Sequence, residues 1–253
     1  QRRGAVWEDE AARYLWAGAL VPQDTKTDSA AQSQSVWDAM QSILSAHGFG
    51  VRQIVRTWFY NSHILDWYKQ FNDVRTAFFK KHAVFGNFVP ASTGIGADNQ
   101  HGAALLAHMV ALAPKDKQAA KLAMAPSPLQ CPAYDYKSAF SRGATCDFKD
   151  GRALFVSGTA SIEPGGKSAH PGDLDKQIDL TLCVIAAILK AANMQWADVC
   201  RGIAYFPKIE WMDAFEKRLE KAGIQPFPVV YAHSDVCRGD LMFELEVDAV
   251  KRK

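Results

Sequence analysis

Hydrophobic residues recur at helical spacing in two stretches of the chain. The first stretch covers 36–47 and stops at Gly48, a residue type that readily takes the left-handed conformation that ends many helices. The second covers 174–189 and follows Asp173, whose side chain is typical of a helix N-cap. The pattern therefore predicts two amphipathic helices, each with one face directed towards a core.

Each predicted helix is followed by the same series of elements. A β-rich run comes next, at 53–60 or 199–206, and then a second helical pattern at 66–81 or 211–222. With two strands before each series and two after it, the order is strand, strand, helix, strand, helix, strand, strand. Helices segregated against a mainly antiparallel sheet predict an α+β fold, built twice.

The two series are copies of one unit. Residues 40–60 align with residues 185–205 without a gap, so the two copies are offset by 145 positions. Gln32 and Gln177 each precede the matching tyrosines of the two copies by 28 residues. This self-similarity predicts two tandem domains of the same fold.

A proline-rich segment separates the copies. Proline interrupts helix interiors and central strands, and it occurs here at Pro114, Pro126, Pro128 and Pro132. We therefore expect a first domain at 1–113, a linker at 114–132 and a second domain at 133–253. A short connecting helix is expected at 115–125.

Composition narrows the class of protein. The 253 residues are 48% hydrophobic and 22% charged, as in ordinary globular proteins, and the net charge of +2 gives no support for nucleic-acid binding. Five cysteines, an odd number without a Cys-x-x-Cys pair, predict free thiols in the cytosol. No apolar run is long enough for a membrane span. Since the sequence begins at Gln1, we expect the natural N-terminus to be missing or processed.

The last predicted strand carries a row of carboxylates. Along 241–249 hydrophobic residues alternate with polar ones, so Glu244, Glu246 and Asp248 share one face. One interpretation is a face exposed to solvent. The other is a functional site, because neighbouring carboxylates about 6.5–7 Å apart disfavour each other's ionisation and raise a pKa.

Further candidate groups lie before that strand and in the first repeat. Cys237 next to Arg238 is either a nucleophile with a lowered pKa or a small buried residue; zinc bound by the cluster at 233–237 is less favoured. Arg56 and Tyr60 share a strand face, and Arg75 lies in the helix that follows. These side chains suit the binding of a small carboxylate, although the tyrosine also fits a core and Arg75 a surface position.

The repeat resembles the YjgF/Rid superfamily, also called the endoribonuclease L-PSP family. The resemblance implies chorismate-mutase-like α+β domains that assemble as trimers with clefts between domains. Deaminases of this superfamily bind the substrate carboxylate through an arginine that is replaced here by Ser92 and by Val230. Their glutamate in the last strand is kept at Glu244 and corresponds to Ala107 in the first repeat.

A more specific resemblance is to the two-domain chorismatases, which split chorismate into pyruvate and a ring acid. It rests on Arg-Thr-Trp-Phe-Tyr at 56–60, Phe-Asn-Asp-Val-Arg at 71–75, Pro-Ala-Ser-Thr-Gly-Ile-Gly at 90–96, Ser-Gly-Thr-Ala-Ser at 157–161 and the run at 233–246. The resemblance implies a general acid at Glu244, and it associates Cys237 with the subgroup that forms hydroxybenzoate. The candidate substrate-binding residues are Arg56, Tyr60, Arg75, Tyr205, Arg238 and Thr159.

Three functions remain open at this point. The first is cleavage of the enolpyruvyl ether of chorismate or of a related small carboxylate, without a metal or an organic cofactor. The second is deamination of a small enamine or imine acid, and the third is binding of a small ligand without catalysis. We expect a trimer of two-domain chains, or a monomer that imitates part of one, and neither a nucleic-acid nor a membrane partner.

Overall fold

The computed structural model describes residues 4–116, 118–136 and 138–253, so the first three residues of the chain lie outside it. The helices over these residues are α1 Ser29–Ala46, α2 Ile64–Lys81, α3 Leu174–Ala191 and α4 Met212–Lys221. The strands are β1 Gly4–Glu8, β2 Ala12–Leu20, β3 Ile54–Asn61, β4 Ala91–Gly96, β5 Leu105–Pro114, β6 Ala120–Met124, β7 Gly143–Phe148, β8 Gly151–Ala160, β9 Val199–Phe206, β10 Val229–His233 and β11 Glu244–Arg252. Each of these helices is too short or too polar to cross a membrane.

The strands form two sheets, one for each repeat. The first has the order β1-β2-β5-β3-β4 and the second β10-β9-β11-β8-β7-β6. Within each sheet one pair is parallel, β3 with β4 and β9 with β10, and the other pairs are antiparallel. The α+β fold predicted from the sequence is confirmed. The first repeat has the predicted order of elements, and the second has the same order preceded by one additional strand, β6.

The helices cover one face of each sheet. In the first repeat α1 and α2 pack on the sheet around Trp37, which is fully buried and contacts Phe59, Phe78 and Phe79. In the second, α3 and α4 enclose a separate hydrophobic core. Asp173 caps α3 by accepting a hydrogen bond from the Lys176 amide, as its position in the sequence predicts.

The segment between the repeats differs from the prediction. The connecting helix expected at 115–125 is wrong, because Ala120–Met124 form β6, which pairs with β7 at the edge of the second sheet. Lys117, within that segment, lies outside the described residues. Strand pairing here outweighs a sequence rich in alanine and lysine, whose intrinsic preference is helical. The boundary between the domains stays a proposal, with β6 on the side of the second sheet.

The uncovered faces of the two sheets pack against each other. A third hydrophobic cluster joins residues from both sheets, including Val55, Trp58 and Val110 of the first and Cys146 of the second. Inside this interface Arg56 Nη2 of β3 lies 2.7 Å from Glu246 Oε2 of β11, and both side chains are fully buried. The solvent-exposed interpretation of the carboxylate row is therefore wrong for the part of the strand that meets the first repeat.

We expect Arg56→Ala to destabilise the protein strongly. The change leaves the buried Glu246 carboxylate with only part of its counter-charge, and breaking a buried ion pair costs roughly 3–5 kcal/mol. We expect the low end of this range, because Arg201 Nη2 also lies 2.7 Å from Glu246. Urea denaturation measures the loss. Lys69→Ala is the control, since it removes an exposed pair with Asp73 and should change stability by less than about 0.5 kcal/mol. Equal effects of the two changes would contradict the prediction.

Candidate active site

A cavity lies between the two sheets, with walls from both repeats. The first repeat contributes side chains of α2 and β4, and the second contributes the end of β8, the loop before β11 and the start of β11. Its lining residues are Tyr68, Arg75, Ser92, Gly94, Ser138, Phe140, Arg142, Gly158, Ala160, Ile162, Cys237, Arg238, Leu241 and Glu244. The volume of about 40 Å³ holds a few water molecules, so a larger ligand requires lining side chains to move apart.

Glu244 is the acidic side chain of the cavity. It is the first residue of β11 and only 4% exposed. Burial, and after it the negative charge of Glu246, raise the pKa of Glu244 to about 8. The group therefore keeps its proton at neutral pH and is able to donate it.

A β-bulge makes room for the Glu244 carboxyl group. The pairing of β11 with β8 passes from Leu245 opposite Thr159 to Val247 opposite Val156, so β8 carries one extra residue at this point. Gly158 lies in the bulge, and a Cβ atom there would overlap the Glu244 carboxylate. Only glycine leaves this space free, and its amide donates to Thr93 Oγ1 over 3.0 Å.

Glu246 lies two residues further along the strand, in a different environment. Its carboxylate pairs with Arg56 and Arg201 and accepts a hydrogen bond from Trp58 Nε1 over 2.9 Å. Although burial alone would raise it, the pKa of Glu246 is held below its usual value by the two guanidinium groups. The strand thus presents one protonated and one ionised carboxyl group, the arrangement in which acid and base roles separate.

Three arginines bring positive charge to the cavity. Arg75 of α2 donates to Asn72 Oδ1 and lies over the Phe71 ring at 4.9 Å. Arg142 donates from Nε and Nη2 to the Cys131 carbonyl, at 3.1 and 3.0 Å. These contacts orient two guanidinium groups that line the same cavity as the neutral acid. The charge distribution suits a small ligand with carboxylate groups.

The third arginine comes from the loop before β11. Arg238 Nη1 donates to the Gly166 carbonyl over 2.7 Å and thereby ties this loop to the one that follows β8. Cys237 beside it also lines the cavity, but burial raises the pKa of this thiol to about 12. That direction is opposite to the lowering that a nucleophilic thiolate needs, because desolvation outweighs the charge of Arg238.

Other candidates from the sequence lie away from the cavity lining. Arg56 is paired with Glu246, and Tyr60 packs edge-on against the His108 ring at 5.5 Å. Thr159 Oγ1 donates to the Ser157 carbonyl over 2.8 Å. Tyr205 is buried, and its hydroxyl has no hydrogen-bond partner among the described residues. Four of the eight candidates thus line the cavity, namely Glu244, Cys237, Arg75 and Arg238.

The cluster at 233–237 does not converge on one point. The His233 ring is exposed and lies 3.0 Å from the Pro207 carbonyl, while the Asp235 carbonyl accepts from the Gly96 amide. Strand β10 ends at His233, so the residues of the cluster do not all lie on one strand. Among the described residues no group of three or more His, Cys, Asp or Glu side chains is placed to hold a metal ion.

Sequence reasoning missed several lining residues. Tyr68 and Arg75 lie seven positions apart on α2 and so share a helix face, a signal that was available from the spacing. Gly158 belongs to the motif at 157–161, but the sequence does not show that a strand bulge places it against Glu244. Arg142 precedes β7 and lies outside the helices and strands, so no periodic pattern in the sequence indicates its direction. Only the tertiary structure shows that it lines the cavity.

The chain is similar to known chorismatases. Residues 1–111 match the family model "Chorismatase FkbO/Hyg5-like, N-terminal". A 3-hydroxybenzoate synthase of Streptomyces hygroscopicus is 25% identical over 97% of this chain and 76% of its own. A chorismatase of Streptomyces rapamycinicus is 26% identical over 96% and 76%. These matches confirm the resemblance found in the sequence motifs.

The fold agrees with a solved structure of that class. A chorismatase crystal structure superposes with a TM-score of 0.76, at 21% identity, over 98% of this chain and 78% of the other. The repeat, the sheets and the match together define a tandem α+β protein with the chorismatase fold.

The raised pKa of Glu244 predicts a pH-dependent stability difference. The folded protein holds this proton more tightly than the unfolded chain, whose glutamate has a pKa near 4.5. The resulting stabilisation is complete below that pH and is lost as the pH rises through about 8, by up to about 1.4 kcal/mol per unit in between. Between pH 5 and pH 8 the free energy of unfolding of the wild type should therefore fall relative to that of Glu244→Gln. A constant difference between the two proteins would contradict this.

Gly158→Ala tests the fit between the bulge and the acid. The added methyl group overlaps the Glu244 carboxylate and forces it from the cavity, at a cost of roughly 1–3 kcal/mol. Gly165→Ala is the matched control, because no atom lies within 4 Å of a Cβ built at that exposed glycine. Thermal unfolding of both variants checks the prediction, and equal melting temperatures would contradict it.

Proposed function

We propose that this chain is a chorismatase-like enzyme that cleaves the enolpyruvyl ether of chorismate, with Glu244 as the general acid. The observation that carries the proposal is a buried carboxyl group, protonated at neutral pH, in a cavity also lined by three arginines. The similarity to proteins named chorismatase and 3-hydroxybenzoate synthase supports the same substrate.

Glu244 supplies the proton that starts the reaction. Its O–H bond breaks as the proton moves to the methylene carbon of the vinyl ether, which leaves an oxocarbenium ion and the Glu244 carboxylate. In the hydrolytic outcome, water adds to the cation and returns a proton to Glu244, and the hemiketal collapses to pyruvate and a ring alcohol. In the outcome that gives hydroxybenzoate, the bond between the ring carbon and the ether oxygen breaks and releases pyruvate. The ring then loses one proton to become aromatic, and this proton restores the protonated form of Glu244, so that chorismate becomes pyruvate and hydroxybenzoate without net consumption of water.

The arginines bind the two carboxylates of the substrate. Arg75, Arg142 and Arg238 reach the cavity from α2, from the segment before β7 and from the loop before β11. Charge-assisted hydrogen bonds from guanidinium groups are among the strongest in proteins. Since pockets for small ligands are usually about 300–1,000 Å³, the lining side chains move apart when chorismate enters.

The alternatives receive less support from the site. A deaminase substrate such as 2-aminoacrylate carries only one carboxylate. A cavity lined by three guanidinium groups is better suited to a substrate with two carboxylates, such as chorismate. A non-catalytic binding protein does not need a buried, protonated carboxyl group. Exposure of Glu244 to bulk water would have favoured this non-catalytic alternative. Glu244 is instead 4% exposed and shares its cavity with the arginines.

Incubation of the purified protein with chorismate tests the proposal. We expect pyruvate release, and we expect Glu244→Gln to lower kcat by about 10²–10⁴, the usual contribution of a general acid. Coupling pyruvate to lactate dehydrogenase measures the rate, and chromatography identifies the ring acid. Glu10→Gln is the control. Glu10 is exposed and does not line the cavity, so this variant should keep full activity.

Absence of pyruvate above a heat-killed sample would overturn the proposed function. Hydrolysis of 2-aminoacrylate faster than in buffer would then favour the deaminase. A homotrimer and a cytoplasmic location remain parts of the proposal, and light scattering that shows a stable dimer would contradict the first.

A further inference from the structure

Glu246 lies outside the cavity lining, yet it is a fully buried carboxylate with close polar contacts. Its two oxygens lie 2.7 Å from Arg56 Nη2 and 2.7 Å from Arg201 Nη2, and one of them accepts from Trp58 Nε1. Arg56 Nη2 also donates to Thr93 Oγ1, which in turn accepts from the Gly158 amide. This network thus extends from Glu246 to the bulge against which the Glu244 carboxyl group packs.

We propose that Glu246 is a positioning residue for the acid: its fixed negative charge, held by one arginine from each repeat, keeps the proton on Glu244. The role of Glu244 in this statement rests on the proposed function. Glu246 is not among the residues that line the cavity, and it acts through its neighbour on the strand.

The geometry accounts for which carboxyl group is ionised. The two side chains share one face of β11 and are spaced about 6.5–7 Å apart, and both are buried. Only Glu246 has two guanidinium groups at 2.7 Å, so it is the one that carries the charge. Ionising two neighbouring carboxyl groups in a buried site costs a large free energy, because the like charges repel each other. Glu244 therefore retains its proton.

Other charged and titratable groups also face Glu244 and influence its protonation. They are Arg56 on β3, Arg142 before β7, Tyr205 on β9 and Cys237 before β11, with Arg75 and Arg238 on the cavity wall. The arginines favour the ionised form of Glu244, and the two neutral groups add no charge at neutral pH. Of the neighbours named here, Glu246 is thus the one whose charge opposes ionisation.

The network also links the acid to the packing of the two repeats. Arg56 comes from β3 of the first repeat, whereas Arg201 comes from β9 of the second and has a side chain 37% exposed. The ionised state of Glu246 therefore depends on contact between the sheets. This assigns to Arg56 a role in holding Glu246 instead of the role in ligand binding expected from the sequence.

Glu246→Gln tests the proposal through the pH dependence of catalysis. Loss of the negative charge, with two arginines left in place, lowers the pKa of Glu244, so the basic limb of the kcat profile should move to lower pH by roughly 1–2 units. Glu246→Asp keeps the charge and should leave the midpoint within about half a unit of the wild type. A merely structural role would lower kcat without moving the midpoint.

A second measurement is independent of substrate. With carboxyl-¹³C glutamate in the full chain, the resonance that disappears in Glu244→Gln reports the titration of Glu244 directly. Its midpoint should fall by the same amount in Glu246→Gln. If that variant unfolds, Arg56→Gln combined with Glu246→Gln removes the buried guanidinium that has lost its partner. The Glu244 midpoint should still fall in this double variant, by less than in Glu246→Gln, because the charge of Glu246 acts on Glu244 more strongly than that of Arg56.

An unchanged Glu244 midpoint in a folded variant that lacks Glu246 would overturn the inference, even in a protein that releases pyruvate. A lowered midpoint in a protein without activity on chorismate would support the inference and reject the proposed function. The two failures are thus distinguished.

Discussion

The buried ion pair between Arg56 and Glu246 is the contact on which the site depends. It joins β3 of one sheet to the last strand of the other, inside an interface that also contains a cluster of aromatic and aliphatic side chains. Two charges without water are tolerated only when each finds a partner, so the pair fixes how the sheets face each other. The cavity, whose walls come from both sheets, follows from this arrangement.

The same constraint separates the chemistry of two glutamates on one strand. Glu246 faces guanidinium groups from both repeats, and Glu244 faces a bulge, a thiol and apolar side chains as well as more distant arginines. Identical side chains thus have opposite protonation states at neutral pH. Tandem duplication contributes to this difference, because Arg56, the fully buried one of the two counter-charges of Glu246, comes from the other repeat.

Much of the fold was predictable from the sequence, because element order and helix caps are local properties that repeat after a fixed offset. Asp173 and the helix after it are examples. The segment around β6 was not predictable, since its strand state arises from pairing with a partner that follows it in the chain. For the site, alternation placed Glu244 and Glu246 on one face but left open whether that face meets water or another sheet. Arg142 reaches the cavity from irregular structure, for which periodicity carries no information.

The bulge that accommodates Glu244 has a counterpart in the first repeat. There β2 carries one extra residue between Ala17 and Leu20, opposite His108, and the His108 ring lies 3.3 Å from a Cβ built at Gly18. The strand position equivalent to the acid is occupied by Ala107. A strand bulge that contains a glycine therefore occurs in both halves, beside an imidazole ring in the first and beside a carboxyl group in the second. The two bulges differ in backbone conformation, because Ala19 after Gly18 has a φ of 52°. The same kind of strand irregularity thus makes room for a different functional group in each half of the molecule.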